Sequence, residues 1–331
     1  MRQIVTADIG GTHARFALAT IDQTRAVSLD HVLTLRTAEH ASFQRAWENF
    51  GRHVGAGLPR EIAIAFAGPV GGEMLKLTNN PWMIQPDEVA ALLDVDRHLI
   101  INDFGAVAHA VANLDGSAFG HVCGDDRPIP DDGIITIIGP GTGLGVASLI
   151  KRTAGYRVIE TEGGHMDYAP LDPLEDQILS YLRNSFRRVS IERVVSGAGL
   201  ANIYAALAAI EQRSALHGDA HALWAAAIDG SDSLAAAALE RFCLIFGAVA
   251  GDMALAHGAH AVVIAGGLSL RLKNYLPRSG FASRFIAKGR FERRMEALPV
   301  KMITYPEPGL LGAAAAFAKQ FETRGGHEPS F

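Results

Sequence analysis

A chain of 331 residues, 49% of them hydrophobic, has enough material for about two globular domains. The net charge of −5, from 30 basic and 35 acidic residues, excludes a binder that relies on broad neutralisation of nucleic-acid phosphates. The two cysteines, Cys123 and Cys243, exclude a disulfide scaffold and a cysteine-rich zinc site. The chain opens without a charged segment and a long apolar stretch behind it. No run of about 18 uncharged apolar residues follows, so a cytoplasmic protein without a membrane span is expected.

Residues 4–19 read as a β-hairpin whose polar turn holds Asp8, Gly10, Gly11 and Thr12. Paired glycines let the backbone approach a ligand closely, and successive N–H groups in such a turn make an anion nest. A carboxylate beside that nest implies a cation between them. The reading is a phosphate loop with an acid on the Mg²⁺ side; the plain alternative is a hairpin whose glycines only make the turn. Residues 32–35 form a third short strand, and Ser42 caps a helix over 43–54. Residues 61–70 are an apolar strand stopped by Gly68-Pro69, suited to a buried parallel position. Residues 76–82 are a strand end running into a turn, and 87–93 a short helix. The strand over 98–104 breaks on Asn102 and Asp103, and a helix over 105–114 follows. This alternation predicts an α/β domain. Residues 113–133 are acidic and turn-rich, a surface connection with solvated charges.

Residues 138–149 line up without a gap on residues 7–18, with Gly10 on Gly141, Thr12 on Gly143 and Leu18 on Leu149. A repeat across two halves predicts duplication, and two such turns could hold the two ends of a polyphosphate. Helices are expected over 172–188, through about Arg213 after a glycine-containing loop that starts at Ser196, and over 232–257, the last with Phe242, Phe246, Val249 and Met253 at core spacing. Residues 261–267 are a buried strand ending on a third glycine pair, Gly266-Gly267. The basic residues in and after a helix over 281–288, namely Arg284, Lys288, Arg290, Arg293 and Arg294, read as a solvated face. A strand over 300–305 and a small-residue-rich helix over 309–321 close the fold.

Ligands in open α/β sheets gather at the carboxyl ends of strands, where the three glycine turns lie. No G-x-x-x-x-G-K-[ST] occurs, which excludes a P-loop enzyme, and no G-x-G-x-x-G opens a helix, which argues against a dinucleotide site. The motifs in chain order are Asp8-Ile9-Gly10-Gly11-Thr12, Leu77-Thr78-Asn79-Asn80-Pro81-Trp82, Ile101-Asn102-Asp103-Phe104, Gly139-Pro140-Gly141-Thr142-Gly143-Leu144-Gly145, Glu162-Gly163-Gly164-His165, the run from Ser190 to Gly197, Ala265-Gly266-Gly267 and Pro308-Gly309-Leu310-Leu311-Gly312. Together they span nearly the whole chain. They resemble the actin, heat-shock ATPase and sugar-kinase superfamily, and within it the bacterial ATP-dependent glucokinases.

That resemblance implies two duplicated ribonuclease-H-like α/β domains with a cleft between them, a small one over 1–112 plus 312–326 and a large one over 113–311. It implies transfer of the γ-phosphoryl of ATP to the 6-hydroxyl of glucose, the first step of glycolysis, with Mg²⁺ and in a homodimer. Asp103 is implied as catalytic base and sugar ligand; from the residues alone it is equally a turn or cap residue. Asn102, Glu162, His165 and Glu192 are implied as hexose ligands, where buried polar groups reject analogues lacking a hydroxyl. Asp8 is implied to orient Mg²⁺ through water. Thr12 and the turns Gly10-Gly11 and Gly141-Thr142-Gly143 are implied to hold phosphates, and Gly266 and Gly267 the adenosine. Repressor-type sugar kinases carry a cysteine-rich zinc motif after a histidine like His165; this chain has none, so no zinc is expected. One departure is His13, where the family usually has Asn. The competing readings are a kinase for another hexose, a donor such as ADP or polyphosphate, and a non-catalytic sugar or nucleotide sensor.

Overall fold

The computed structural model describes residues 1–55, 57–77 and 80–322. Thr78 and Asn79, in the expected turn of residues 76–82, lie outside these, as do residues 323–326 of the expected small domain. In chain order the first half comprises β1 (Arg2–Ile9), β2 (His13–Ile21), β3 (Val27–Arg36), α1 (Phe43–Val54), β4 (Glu61–Phe66), β5 (Leu75–Lys76), β6 (Met83–Ile84), α2 (Val89–Leu93), β7 (Arg97–Asn102) and α3 (Asp103–Asn113). There follow β8 (Phe119–Cys123), β9 (Gly133–Pro140), β10 (Leu144–Arg152), β11 (Gly155–Thr161), α4 (Pro173–Leu182), α5 (Gly197–Ile210), α6 (Ala220–Asp229), α7 (Ser233–His257), β12 (Ala261–Ile264), α8 (Gly267–Arg271), α9 (Phe281–Ile286), α10 (Glu292–Glu296), β13 (Val300–Ile303) and α11 (Pro308–Glu322). The chain divides into two compact units. Unit 1 is Met1–Asp115, residues 154–160 and the chain from Tyr305 on; unit 2 is Gly116–Thr153 and Thr161–Thr304.

The first sheet runs β3-β2-β1-β4-β7, antiparallel among β1, β2 and β3 and parallel through β1, β4 and β7. Its central strands are apolar on both faces because both faces are covered. Val5, Ala7 and Ile9 meet Phe43, Trp47 and Phe50 of α1, whose N-cap Ser42 accepts from Arg45 N–H as the sequence predicts. Ile4 and Ala63 on the other face meet Ala106 of α3 and Ala313, Ala314 and Phe317 of α11. The second sheet runs β11-β10-β9-β12-β13-β8. Its segment β10-β9-β12-β13 repeats the order and strand sense of β2-β1-β4-β7. Helix α7 fills the core of unit 2, with Phe242, Phe246, Val249 and Met253 all buried. It is the one described helix long and apolar enough to cross a bilayer, and 72% of its most apolar window is buried inside the protein, which accounts for that composition.

The hairpin repeat holds in order but not residue for residue. Ile9 pairs with Ala14 across a four-residue turn, whereas Pro140 pairs with Leu144 across a three-residue turn. Matching Ile9 to Pro140 therefore sets Ala14 on Leu144, and the buried positions of β2 and β10 then coincide. Leu18 corresponds to Ser148, one residue earlier than the gapless alignment.

Other differences have physical reasons. Residues 113–133, expected as a surface connection, include β8, which pairs antiparallel with β13, and Asp126 is an ion-pair partner of Lys301. Strand β11 carries no apolar run, and the helix expected over 172–188 ends at Leu182. Arg284 and Lys288 are not a solvated face: Arg284 pairs with Asp172 and Glu175, and Lys288 pairs with Asp252 and donates to the Ala248 carbonyl. Arg290, Arg293 and Arg294 are exposed as expected.

Within unit 1, His109 of α3 meets Tyr156 of β11 (Nδ1···Oη 3.0 Å), and Asn113 donates to the same hydroxyl. Burial, reinforced by the Lys319 charge, pushes the His109 imidazole down to about 4. Between about pH 6.5 and 4 the unfolded chain therefore binds a proton that the native protein does not. That stability is complete above the unfolded pKa and is lost as pH falls through this window, by about 3 kcal/mol in all. Urea midpoints followed across that range should fall with acid in the wild type and fall less in His109→Gln. Parallel curves would refute this assignment.

Candidate active site

In unit 1 the parallel strands end in register, Ile9 opposite Phe66 and Phe66 opposite Asn102. This brings Asp8, the turn Gly10–Thr12, Gly68 and the Asn102-Asp103 pair to one edge of the sheet. Asn102 caps α3: its Oδ1 accepts from Phe104 N–H (2.9 Å) and Gly105 N–H (3.1 Å), and its Nδ2 donates to the Gly68 carbonyl (3.3 Å). With its acceptor so engaged, Asn102 has an N–H rather than an oxygen to offer a sugar. Asp103, half-buried, is the first residue of α3, and its Oδ1 accepts from Phe104 N–H at 2.8 Å.

The first turn is braced from behind. Gly10 N–H donates to the His13 carbonyl, Thr37 Oγ1 and Asn80 Nδ2 donate to the Gly11 carbonyl, and Thr37 N–H donates to the Thr12 carbonyl. The N–H groups of Gly11 and Thr12 have no protein acceptor among the described residues. Asp8 lies opposite Arg15 in the hairpin register, with its Oδ2 at 3.4 Å from Arg15 Nη1, and Arg15 Nε lies 3.3 Å from Glu307. Burial pushes the Asp8 and Glu307 carboxyls up, and the Arg15 charge opposes it. His13 is half-exposed and pairs with Arg36 of β3; partial burial and the charges of Arg15 and Arg36 push its imidazole down.

In unit 2 the turn Gly141–Gly143 closes on itself through Gly141 N–H to the Gly143 carbonyl (2.8 Å). Gly197, first residue of α5, donates to the Gly141 carbonyl (2.8 Å), and Leu144 N–H donates to Glu192 Oε2 (2.9 Å). The N–H groups of Thr142 and Gly143 have no protein acceptor among the described residues. Gly266 follows β12 at φ +90°, and a Cβ there would stand 2.6 Å from the Pro140 carbonyl oxygen, so only glycine fits. Gly267 faces open space. Residues 163–165 form a single tight turn, and Ile191 N–H to the Met166 carbonyl and Tyr168 N–H to the Val189 carbonyl zip it to the segment carrying Glu192. Glu162 and His165 are exposed and Glu192 is half-buried.

A family model for glucokinase matches residues 5–320. The chain belongs to the glucokinase family. It is 60% identical over 319 residues to the glucokinase of Zymomonas mobilis subsp. mobilis (strain ATCC 31821 / ZM4 / CP4), covering 96% of this chain and 98% of that one. The crystal structure of a glucokinase from an Antarctic psychrotroph superimposes with a TM-score of 0.82 at 33% identity, covering 97% of this chain and all of that one (100%). A ROK family glucokinase from Streptomyces griseus, solved with glucose and AMPPNP, shares the fold at a TM-score of 0.62 and 21% identity, over 96% of this chain and 100% of that one. The motif resemblance is thus borne out: this is a sugar kinase, with ATP binding implied by the family.

For a glucokinase, sequence reasoning passed over three residues at this edge. Arg15 and Glu307 flank Asp8, and the signal was available, since the hairpin register places Arg15 opposite Asp8. Glu160 Oε1 accepts from Asn102 N–H (3.1 Å), and a Cβ on Gly105 would come within 2.3 Å of it. Its only trace in the sequence is a glycine in the first turn of a helix. As to Mg²⁺, no group of three or more His, Cys, Asp or Glu able to hold a metal occurs among the described residues. A lone hard carboxylate oxygen at Asp8, beside amides suited to phosphate, fits an ion that keeps most of its waters and is shared with a polyphosphate.

Proposed function

We propose that this glucokinase transfers the γ-phosphoryl group of ATP to the 6-hydroxyl of D-glucose, yielding glucose 6-phosphate and ADP. The observation that carries the reading is Asp103, a half-buried carboxylate at the end of a parallel strand, with a glycine turn at the same sheet edge whose Gly11 and Thr12 amides have no protein acceptor among the described residues. Asp103 takes the proton of the 6-hydroxyl as its oxygen bonds to the γ-phosphorus and the bond to the β-phosphate oxygen breaks. The amides of Gly11, Thr12, Thr142 and Gly143, with the Thr12 hydroxyl, donate to phosphate oxygens. The engaged amides of Gly10 and Gly141 hold the two turns in shape. Glu162 and Glu192 accept from sugar hydroxyls, with His165 and the Asn102 amide completing the recognition. Gly267, with nothing above it, gives the adenosine its backbone surface, and Gly266 sets its position. Asp8 would hold Mg²⁺ through water, and the bound ion would supply neutralisation of charge on the phosphates.

The matched strand orders support a duplicated ribonuclease-H-like architecture of the actin-like ATPase kind, with functional domains of residues 1–112 plus 312–326 and 113–311. A cytoplasmic homodimer completes the proposal. The test is ADP release measured over glucose, mannose and N-acetyl sugars, with phosphorus NMR of the product. Glucose should give the highest kcat/KM and a 6-phosphate. A higher kcat/KM on another hexose would reassign the substrate, and release of ADP without sugar phosphate would overturn the transfer.

A further inference from the structure

We infer that Leu144 couples hexose to nucleotide, because both proposed sugar-binding segments rest on it and it directly follows the second phosphate turn. The inference rests on the proposed roles of Glu192 and of Gly141–Gly143, and every residue in it belongs to unit 2. On one side, Glu192 Oε2 accepts the Leu144 N–H at 2.9 Å. A Cβ on Gly143 would stand 2.3 Å from that same oxygen, so the carboxylate lies directly against the turn. On the other side, a Cβ on Gly164 would stand 2.1 Å from the Leu144 carbonyl oxygen, so the Glu162–His165 turn is seated on the same residue. The bonds from Ile191 and Tyr168 to Met166 and Val189 join the two sugar-binding segments to each other.

The consequence follows from lone-pair counting. A carboxylate has two oxygens and about four acceptor sites, so Glu192 can hold Leu144 N–H and a sugar hydroxyl together. Glucose that orders Glu192 orders the peptide unit between Gly143 and Leu144, and with it the amides offered to phosphate. Phosphate bound at the turn orders Glu192 for the sugar in return. Linkage makes the two effects equal.

The test is calorimetric binding of AMPPNP to the whole protein, with and without saturating glucose. Glucose should tighten AMPPNP by roughly fivefold or more, and AMPPNP should tighten glucose by the same factor. Gly143→Ala keeps Glu192 but fills its seat; Gly143 has no positive φ, so alanine suits the backbone. Glu192→Asp keeps the charge and shortens the reach. In both, the factor should fall to about twofold or less. Should Gly143→Ala fail to fold or to bind AMPPNP, Glu192→Asp decides alone. A factor of one in the wild type, or a wild-type factor in the variants, overturns the coupling. Glucose affinity without nucleotide separates the two readings. If Glu192→Asp weakens glucose and leaves the factor intact, only the coupling fails; if neither changes, the hexose role of Glu192 fails as well.

Discussion

Asp103→Asn should lower kcat by about 10²- to 10⁴-fold, the range that a positioned acid–base group contributes. The variant keeps the described bonds at the start of α3. Asp103 Oδ1 accepts from Phe104 N–H, and the asparagine oxygen can do the same. Asn102, not Asp103, caps α3, so the helix keeps its bonds to Phe104 and Gly105. The loss of a negative charge in the first helical turn costs about 0.3–1 kcal/mol of stability, too little to unfold the protein. AMPPNP affinity should stay near the wild-type value, since the proposed phosphate donors are the amides of the glycine turns and not Asp103. If Asp103 serves only as a first-turn acid, the variant will lose that small stability and turn over glucose at a near-normal rate, and the base assignment falls.

How much could be read from the chain depends on where each residue finds its partner. The β1–β2 hairpin, the Ser42 cap, α7 and β12 were legible because local patterns decide them: alternation or continuous apolarity, a cap beside its helix, and core residues at helical spacing. Strand β11 was not, since its burial alternates weakly along Gly-Tyr-Arg-Val-Ile-Glu-Thr and its side-chain partners on α3 lie far away in sequence. The register of the second hairpin was hidden for another reason. Gly141-Thr142-Gly143 admits a three- or a four-residue turn, and the Gly141 N–H to Gly143 carbonyl bond selects the shorter. Among the candidate site residues, their identity was legible through motifs and their engagement was not. Nothing local announces that Glu192 bonds Leu144, 48 positions away in sequence, or that Asn102 spends its oxygen on α3.

The largest loss of stability should come from a residue in the core of unit 2. Arg241 follows Glu240 in α7, and its side chain is 15% exposed. It donates to Glu175 Oε1 at 2.9 Å and also pairs with Asp172, the N-cap of α4, while Arg284 of α9 reaches both acids. Glu175 is 2% exposed, and its other oxygen accepts from Leu171 N–H at 2.8 Å. The two arginines thus pin α4 to α7 and α9; burial raises the Asp172 carboxyl, but the Glu175 N–H that it caps, with Arg241 and Arg284, holds it below its ordinary value. A buried pair adds little over a well-packed apolar substitute, because desolvation offsets the attraction, but removing one partner strands the other charge at a cost of about 3–5 kcal/mol. Arg241→Ala should therefore lower the unfolding free energy by about 3 kcal/mol or more, the residual Arg284 contact at 3.4 Å keeping it near the lower end. Adding Glu175→Gln with Arg241→Met should restore most of that loss: the glutamine oxygen still accepts from Leu171 N–H, no unpaired charge is buried, and the methionine fills the stem's volume. Denaturant midpoints of the single and double variants check this directly. If the double variant is as unstable as Arg241→Ala, the cost lies in packing around the arginine stem and not in the stranded carboxylate.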